Sequence, residues 1–451
     1  MSEAGVATCA ATPTVGDLLR RVVRLAAPTS FVSFLQVGGM LAETWLAARQ
    51  GTEALAGWAV VLPFALLLQQ MSAGAMGGGV VSAVARALGA GRRDRASALV
   101  LHALLIAVAA GLLFTIVLAG FPEPLFNLIA PGAAAQAIPF SACLFGFGAI
   151  PVWLTNVLAS ILRGGGRHGL VSRILAVSTV AYPLVAWVFM EPLGFGLPGA
   201  GMAVGLVYVV AATAMAAVVQ SGAAGFIPDL RQRPTAAAFG SILSVGLVAS
   251  GMATIANLTT VLVTAQIAPF GAAVVAAYGI SARLEFLMVP LAFGIGSALT
   301  ALVGQSVGAG DWPTARRIAW TGGVLALGFA GSVGLGVTIL PAAFAGIFTD
   351  DPAVLTVAVD ALRYVAPACA GFGVGMALYF ASMGAARMRA PVCAALARIG
   401  IAVVGGWFLA DVVGMGLAGH FLAVGLGITA YGAITAAAVR PGIWSARSGN
   451  A

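Results

Sequence analysis

Twelve runs of apolar residues, each about 20 residues or longer, alternate along the chain with short polar or glycine-rich breaks. They fall near residues 24–48, 54–83, 97–120, 137–162, 170–190, 198–221, 237–268, 273–305, 316–341, 356–383, 391–410 and 413–438. A helix of that length crosses roughly 30 Å of hydrocarbon. The pattern therefore predicts an all-α polytopic membrane protein with twelve transmembrane helices, of which the last two are the least clearly separated. The first run is too long for a signal-peptide core and is expected to be retained as the first span.

Composition agrees with this class. The 451 residues are 61% hydrophobic and only 8% charged, with 60 glycines and a mean hydropathy of +1.05, far from the balance of a soluble domain. All 22 basic residues are arginine. Most lie in the terminal segments and even-numbered loops, from Arg20, Arg21 and Arg24 through Arg92, Arg93 and Arg95 to Arg387, Arg389, Arg440 and Arg447. The opposite side keeps Arg49 and Arg363 beside Glu53, Glu123, Asp350, Asp351, Asp360 and Asp411. The positive-inside rule then places both termini in the cytoplasm, as an even number of spans requires, and the expected location is the inner (plasma) membrane. Arginines spread over many short loops form no single basic face, which argues against nucleic acid as a partner.

The chain repeats itself at a spacing of about 220 residues. GTEALAGW from Gly51 resembles GAAVVAAY from Gly271, Gly89-Ala90-Gly91 recurs as Gly308-Ala309-Gly310, and ILRGGGR ending at Arg167 matches ASMGAAR ending at Arg387. Two six-helix lobes in the same orientation follow, related by a pseudo-two-fold axis along the membrane normal. The expected layout is a tail over 1–23, an N lobe over 24–222, a linker over 223–236, a C lobe over 237–439 and a tail over 440–451. Glycine pairs such as Gly74/Gly78, Gly201/Gly205 and Gly371/Gly375 suit close helix packing in lipid.

Several chemistries can be set aside. Gly304-Gln305-Ser306-Val307-Gly308 fits a nucleophile-elbow pattern but closes a membrane helix instead of joining a strand to one. The glycines at 164, 166 and 169 fit a dinucleotide fingerprint without a βαβ unit. The absence of lysine excludes a Walker loop, so ATP is not the direct energy source. Cys9, Cys143, Cys369 and Cys393, like His102, His168 and His420, are isolated and widely spaced, which gives neither a disulfide framework nor a metal site.

Intramembrane carboxylates are functional candidates by default. Glu43 lies in the first span, 15 residues after Pro28, with Gln36 two turns below it and Met40 between them, so a polar stripe runs along one helix face. Pro28 lacks a backbone donor and is expected to weaken or kink the helix. A competing reading places Glu43 at the outer interface, paired with Arg49. Glu191 closes the fifth span just before Pro192, where an ordinary loop acid is an equal alternative. Both acids lie in the first half and could meet within one lobe. Arg283 and Glu285, two residues apart in the eighth span, face different ways and are expected to anchor neighbouring helices.

The segments LAAPTSF and LAETWLA, EALAGWA, SAVARALGAGRRDRA, LRGGGR, MEPLGFGLPGAGMAVG and AAYGISARLEFLMVPLAFGIGSALTALVGQSVGAG, in this order, resemble the multidrug and toxic compound extrusion (MATE) family over nearly the whole chain. The resemblance implies that Glu43 occupies the place of the family's helix 1 aspartate and Glu191 that of the aspartate in its N-x-x-x-D-P pattern. Trp187 stands where that pattern has asparagine, which alters the polar network expected around the acids. Asn156, Gln36 and Tyr208 are implied as cavity lining. In the C lobe, Asn257 and Phe372 fall near positions where some members carry acids, which is similar to a subgroup coupled through the N lobe.

The function so implied is a secondary antiporter, not an enzyme, that exports amphipathic organic cations or drugs against protons or sodium by alternating access. It needs no cofactor beyond the coupling ion, and a monomer in lipid is expected. Paired acids in a semi-dry cavity favour the proton somewhat, and aromatic groups favour organic cations. Pro28 is the expected gate. A flippase for lipid-linked or polar-lipid substrates shares the architecture, although Arg283 alone is thin support for it.

Overall fold

A computed structural model describes residues 14–445, and within them the hydrophobic pattern is realised as helix after helix. Twelve are long and apolar enough to cross a membrane: α1 (Val15–Arg49), α2 (Thr52–Gly89), α3 (Arg93–Leu118), α4 (Pro131–Gly164), α5 (His168–Met190), α6 (Leu197–Gln220), α7 (Ala236–Phe270), α8 (Ala272–Gly308), α9 (Trp312–Ile339), α10 (Pro352–Gly384), α11 (Arg389–Val412) and α12 (Leu417–Ala438). The two spans hardest to separate by sequence are divided by a turn through Gly414 and Gly416, both with positive φ. The chain is a multi-pass membrane protein, with no strand among the described residues. Cys9 and Arg447 lie outside those residues.

Helix α1 begins at Val15, nine residues before the expected boundary at 24, and this corrects the polar-tail reading of that stretch. Thr14 caps it: the Thr14 hydroxyl accepts from the Asp17 amide at 3.2 Å and the Asp17 carboxylate accepts from the Thr14 amide at 3.2 Å, a reciprocal box that satisfies otherwise orphaned donors. Leu18, Val22 and Ala26 then recur every fourth residue on one buried face, while Arg20, Arg21 and Arg24 remain exposed. A charged, short-period face hides such a helix from a search for long apolar runs.

Two separate apolar cores define the lobes. One gathers residues from Val32 to Ile242; the other runs from Val263 to Ile428. The first half of α1 crosses the boundary, with Leu18, Val22 and Ala26 packed among Leu299, Val303 and Ile318 of α8 and α9. At the arginine-rich end, α2 and α8 come into backbone contact. A Cβ on Gly89 would lie 2.0 Å from the Gln305 carbonyl oxygen, and one on Gly308 would lie 2.2 Å from that of Arg86. This reciprocity is what a duplicated chain produces when equivalent glycines meet across its axis, and it closes the lobes together at that end. Within the N lobe, Gly201 and Gly205 bring α6 close to Leu144 and Phe147 of α4, where a Cβ would lie 2.6 and 2.8 Å from the nearest atom.

The duplication extends to backbone conformation. Gly51 and Gly271 open α2 and α8 at φ 107° and 110°, and Gly91 and Gly310 follow those helices at 71° and 78°. Gly194 and Gly196 before α6 recur as Gly414 and Gly416 before α12. The one non-glycine residue with positive φ among those described is Ala386, at 52°, and its counterpart 220 residues earlier is Gly166 at 79°. The flanking arginines are equivalent too: Arg167 donates to the Ala223 carbonyl and Arg387 to that of Ser445, each at 2.8 Å.

Ala386 thus pays a steric cost its partner avoids. Ala386→Gly is expected to stabilise the protein by about 1 kcal/mol, read as a higher melting temperature of the purified chain; a lower one would show that Ala386 earns its place through packing. Gly308→Val should have the opposite effect, costing about 1–3 kcal/mol through overpacking, and an unchanged melting temperature would mean that α2 and α8 do not meet as described.

Candidate functional site

Glu43 is delivered by the far half of α1, about 22 Å along the helix from Pro28 at the usual rise per residue. Its side chain points into the N lobe and is part-buried. The donors that face the carboxylate closely enough to act on it electrostatically are the Tyr182 hydroxyl of α5 and the Trp58 indole of α2. Tyr182 Oη is buried and makes no hydrogen bond of ordinary geometry, to Glu43 or to any other group among the described residues. Tyr208 of α6 lies further out, within electrostatic range. No arginine pairs with Glu43 among the described residues. The competing pairing of Glu43 with Arg49 is therefore not what the structure contains.

Arg49 is instead taken by Glu191. Its Nε donates to Glu191 Oε1 at 2.8 Å and its Nη2 to Oε2 at 3.2 Å, while Trp187 Nε1 donates to the same Oε2 at 2.9 Å. The Arg49 guanidinium also lies 4.8 Å from the Trp45 ring centre. This two-pronged clamp joins the last residue of α1 to the residue capping α5. The expectation that Glu43 and Glu191 meet is thus corrected: Glu191 stands outside the spans, its side chain about a quarter exposed, with both oxygens engaged. Trp187, 44% exposed, serves that clamp instead of facing Glu43.

Asn156, 2% exposed on α4, is the centre of a second polar group. Its Nδ2 donates to Gln69 Oε1 at 3.1 Å and to Ser72 Oγ at 2.8 Å. Its neighbour Thr155 donates to the Tyr208 carbonyl at 3.0 Å, tying α4 to α6. Of its two partners, Gln69 immediately precedes a π-helical segment of α2, Gln70–Met76, and Ser72 lies within it. The wider turn changes the facing of successive residues, so Gln69 looks into the N lobe while Gln70 Oε1 accepts from Asn257 Nδ2 at 3.4 Å across the lobe boundary. Gln36 and Met40 are part-buried on α1, and neither side chain has a hydrogen-bond partner among the described residues.

Near Pro28, Thr29 Oγ1 is 3.3 Å from His168 Nδ1, linking α1 to the start of α5. The helix runs unbroken through the proline. No group of histidines, cysteines and acids suited to a metal occurs among the described residues.

The C lobe is not free of buried charge. Glu285 of α8 accepts from Arg398 of α11 at 2.6 Å, with side chains 19% and 14% exposed, and Arg283 stacks 5.1 Å from the Phe348 ring. The two residues do anchor different neighbours, as their spacing predicts. Phe372 is 5% exposed in the lobe's core. Sequence reasoning missed Trp58, Gln69, Ser72 and the anchoring roles of Arg49 and Arg398. A lone acid in an apolar run carries no sign of its partner 100 residues away, although the tyrosine before Pro183 in α5 was a visible polar mark in that span.

The MatE family model matches residues 28–188 and 247–408. The probable multidrug resistance protein NorM of Deinococcus radiodurans is 28% identical over 447 residues, spanning 92% of this chain and 93% of that protein. The corresponding protein of Geobacillus kaustophilus is 26% identical over 290 residues, 62% of this chain and 64% of that protein, so the chain matches just under two thirds of that relative's length. The crystal structure of the Vibrio cholerae MATE transporter VcmN in the bent form superposes with a TM-score of 0.85 at 18% identity, covering 94% of this chain and 97% of that one.

The Arg49 bonds hold the Glu191 carboxyl below its ordinary range, with the Trp187 bond adding to this against a smaller desolvation effect. A depressed folded-state value means that the clamp stabilises the protein above the ordinary carboxylate range and that this contribution is lost as pH falls through the lowered value. Glu191→Gln should therefore melt slightly earlier than the parent chain at neutral pH, with the difference closing only at pH below about 4.5. A constant difference across that range would contradict the clamp.

Proposed function

The chain belongs to the MatE family, a family of transporters and not enzymes, and on that premise we propose that it is a proton-driven exporter of amphipathic organic cations in which Glu43 carries the coupling ion. One observation supports this most directly. The two part-buried carboxylates of the spans differ in compensation: Glu285 is tied to Arg398 at 2.6 Å, whereas Glu43 faces only neutral groups. A carboxylate already neutralised by a guanidinium has little reason to exchange ions. One facing a phenol and an indole can be neutralised only by an ion from outside the protein.

That ion is the proton. The Trp58 indole is a donor only, and a phenol is a better donor than ligand, so the surroundings of Glu43 offer few oxygen ligands for sodium. Deprotonated, Glu43 accepts from Tyr182 and Trp58 and presents a negative charge beside aromatic rings, a combination that holds organic cations. When a proton arrives from the outer side, the charge disappears, the two donors face a weaker, neutral acceptor and the cation loses its counter-charge. Substrate leaves outward. The far half of α1 is then free to repack, with Pro28 as the weak point in its backbone ladder and the Thr29–His168 contact holding the near half. Loss of the proton to the cytoplasm resets the site.

Both termini are cytoplasmic in this reading, and the arginine-rich end, where α2 and α8 close together, faces inward. The lobes correspond to residues 24–222 and 237–439, the first helix aside. Gln36, Met40, Asn156, Tyr208 and Asn257 line the path between them. Glu191 contributes the clamp on the outer ends of α1 and α5 and carries no ion.

Glu43→Gln keeps the shape and cannot titrate. In proteoliposomes with an imposed pH gradient and a fluorescent organic cation, it is expected to lower coupled transport at least about tenfold, equivalent to roughly 1.4 kcal/mol, while Glu191→Gln remains coupled. Full pH-driven transport by a correctly inserted Glu43→Gln protein would remove Glu43 from the mechanism.

A further inference from the structure

At the arginine-rich end of the molecule a second buried charge stands without a counter-charge. Arg163, in the last turn of α4, is 4% exposed, and its Nε is buried with no hydrogen-bond partner among the protein's own groups. It is carried to the boundary between the lobes because Gly164 lets α4 press on α2, where a Cβ would lie 2.9 Å from that of Val84. The guanidinium is 5.4 Å from the ring of Phe293, a residue of α8. Beside it, Ser297 of the same helix is 5% exposed, and its hydroxyl is likewise buried without a partner. These groups line a small, partly open recess of about 10 Å³ together with Gly78, Thr300 and Phe380.

The chemistry of this recess is one-sided. Arg163 offers only donors, and Ser297 can offer another. The Thr300 hydroxyl is engaged by the Gly296 and Phe380 carbonyls at 3.0 and 2.9 Å. No carboxylate forms an ion pair with Arg163 among the described residues. Arg86, a part-buried arginine near this boundary, is satisfied by the Ser82 hydroxyl and the Gly384 carbonyl, which bring no negative charge. A water molecule would satisfy a donor there but would leave the charge uncompensated, whereas an anion does both. A space this small favours a single compact particle over a larger oxyanion or carboxylate.

We propose that Arg163 and Ser297 form a site for a single halide ion, of which chloride is the natural example. Because Arg163 belongs to the N lobe and Ser297 to the C lobe, the bound ion fastens the lobes at the end where α2 and α8 already touch. The proposal goes beyond the export reading and does not depend on it: the ion is a fastener of one arrangement of the lobes, whatever the substrate.

The test uses the purified full chain in detergent, with chloride titrated against gluconate at constant ionic strength and melting temperature as the readout. A saturable, chloride-specific rise is expected. Arg163→Gln should abolish it, and Ser297→Ala should weaken the apparent chloride affinity about tenfold while leaving the fold unchanged. In crystals grown with bromide, an anomalous peak should lie between Arg163 Nε and Ser297 Oγ. Equal melting in chloride and gluconate would overturn the proposal, since the space then holds water at most. So would an unaltered chloride response in Arg163→Gln or in Ser297→Ala. If Arg163→Gln fails to fold, Ser297→Ala and the bromide position decide the matter.

Discussion

A charge inside a membrane span must be matched by another charge, satisfied by polar neighbours or exchanged with an ion from outside, because hydrocarbon offers nothing else. This constraint organises the molecule. Glu285 is matched by Arg398, which fixes α8 against α11. Glu191 escapes the span and is clamped by Arg49 and Trp187, which fixes the ends of α1 and α5. Arg86 is satisfied by a hydroxyl and carbonyl oxygens where α2 meets the C lobe. Glu43 alone among the acids of the spans faces a phenol and an indole, and the functional reading follows from that exception.

The second organising feature is the duplication, whose physical expression is backbone geometry more than side-chain identity. Left-handed turns recur 219 or 220 residues apart even where the residue has changed, as at Gly166 and Ala386. The same symmetry brings Gly89 onto Gln305 and Gly308 onto Arg86. Contact as close as this joins α2 and α8 backbone to backbone at that end. The polar chemistry has meanwhile diverged: the N lobe keeps an unpaired acid and the Asn156 network, and the C lobe keeps a neutralised pair.

Much of this architecture was legible in the chain. Runs of apolar residues gave all twelve spans, since a helix in hydrocarbon cannot be built from anything else, and the glycine-rich repeats gave two lobes. The amphipathic start of α1 at Val15 was not legible, because its apolar face recurs every fourth residue between arginines. At the site, Glu43, Asn156 and Tyr208 stood out as polar groups in apolar runs. Their partners did not: nothing local announces that Arg49 reaches Glu191, 142 residues away, or that a π-helical turn points Gln69 and Gln70 to different lobes. The two acids of the N lobe looked like a pair only because sequence shows which span a residue occupies and not which way it faces.

The central claim is that Glu43 is the group that gives up a proton when the exported cation binds. The most direct measurement is proton release from the purified, lightly buffered protein on adding saturating substrate, followed with a pH-sensitive dye near neutral pH. The account predicts release of about one proton per protein from the parent chain, the same from Glu191→Gln, and none from Glu43→Gln. Release that persists in Glu43→Gln, or that disappears in Glu191→Gln with Glu43 intact, would contradict it.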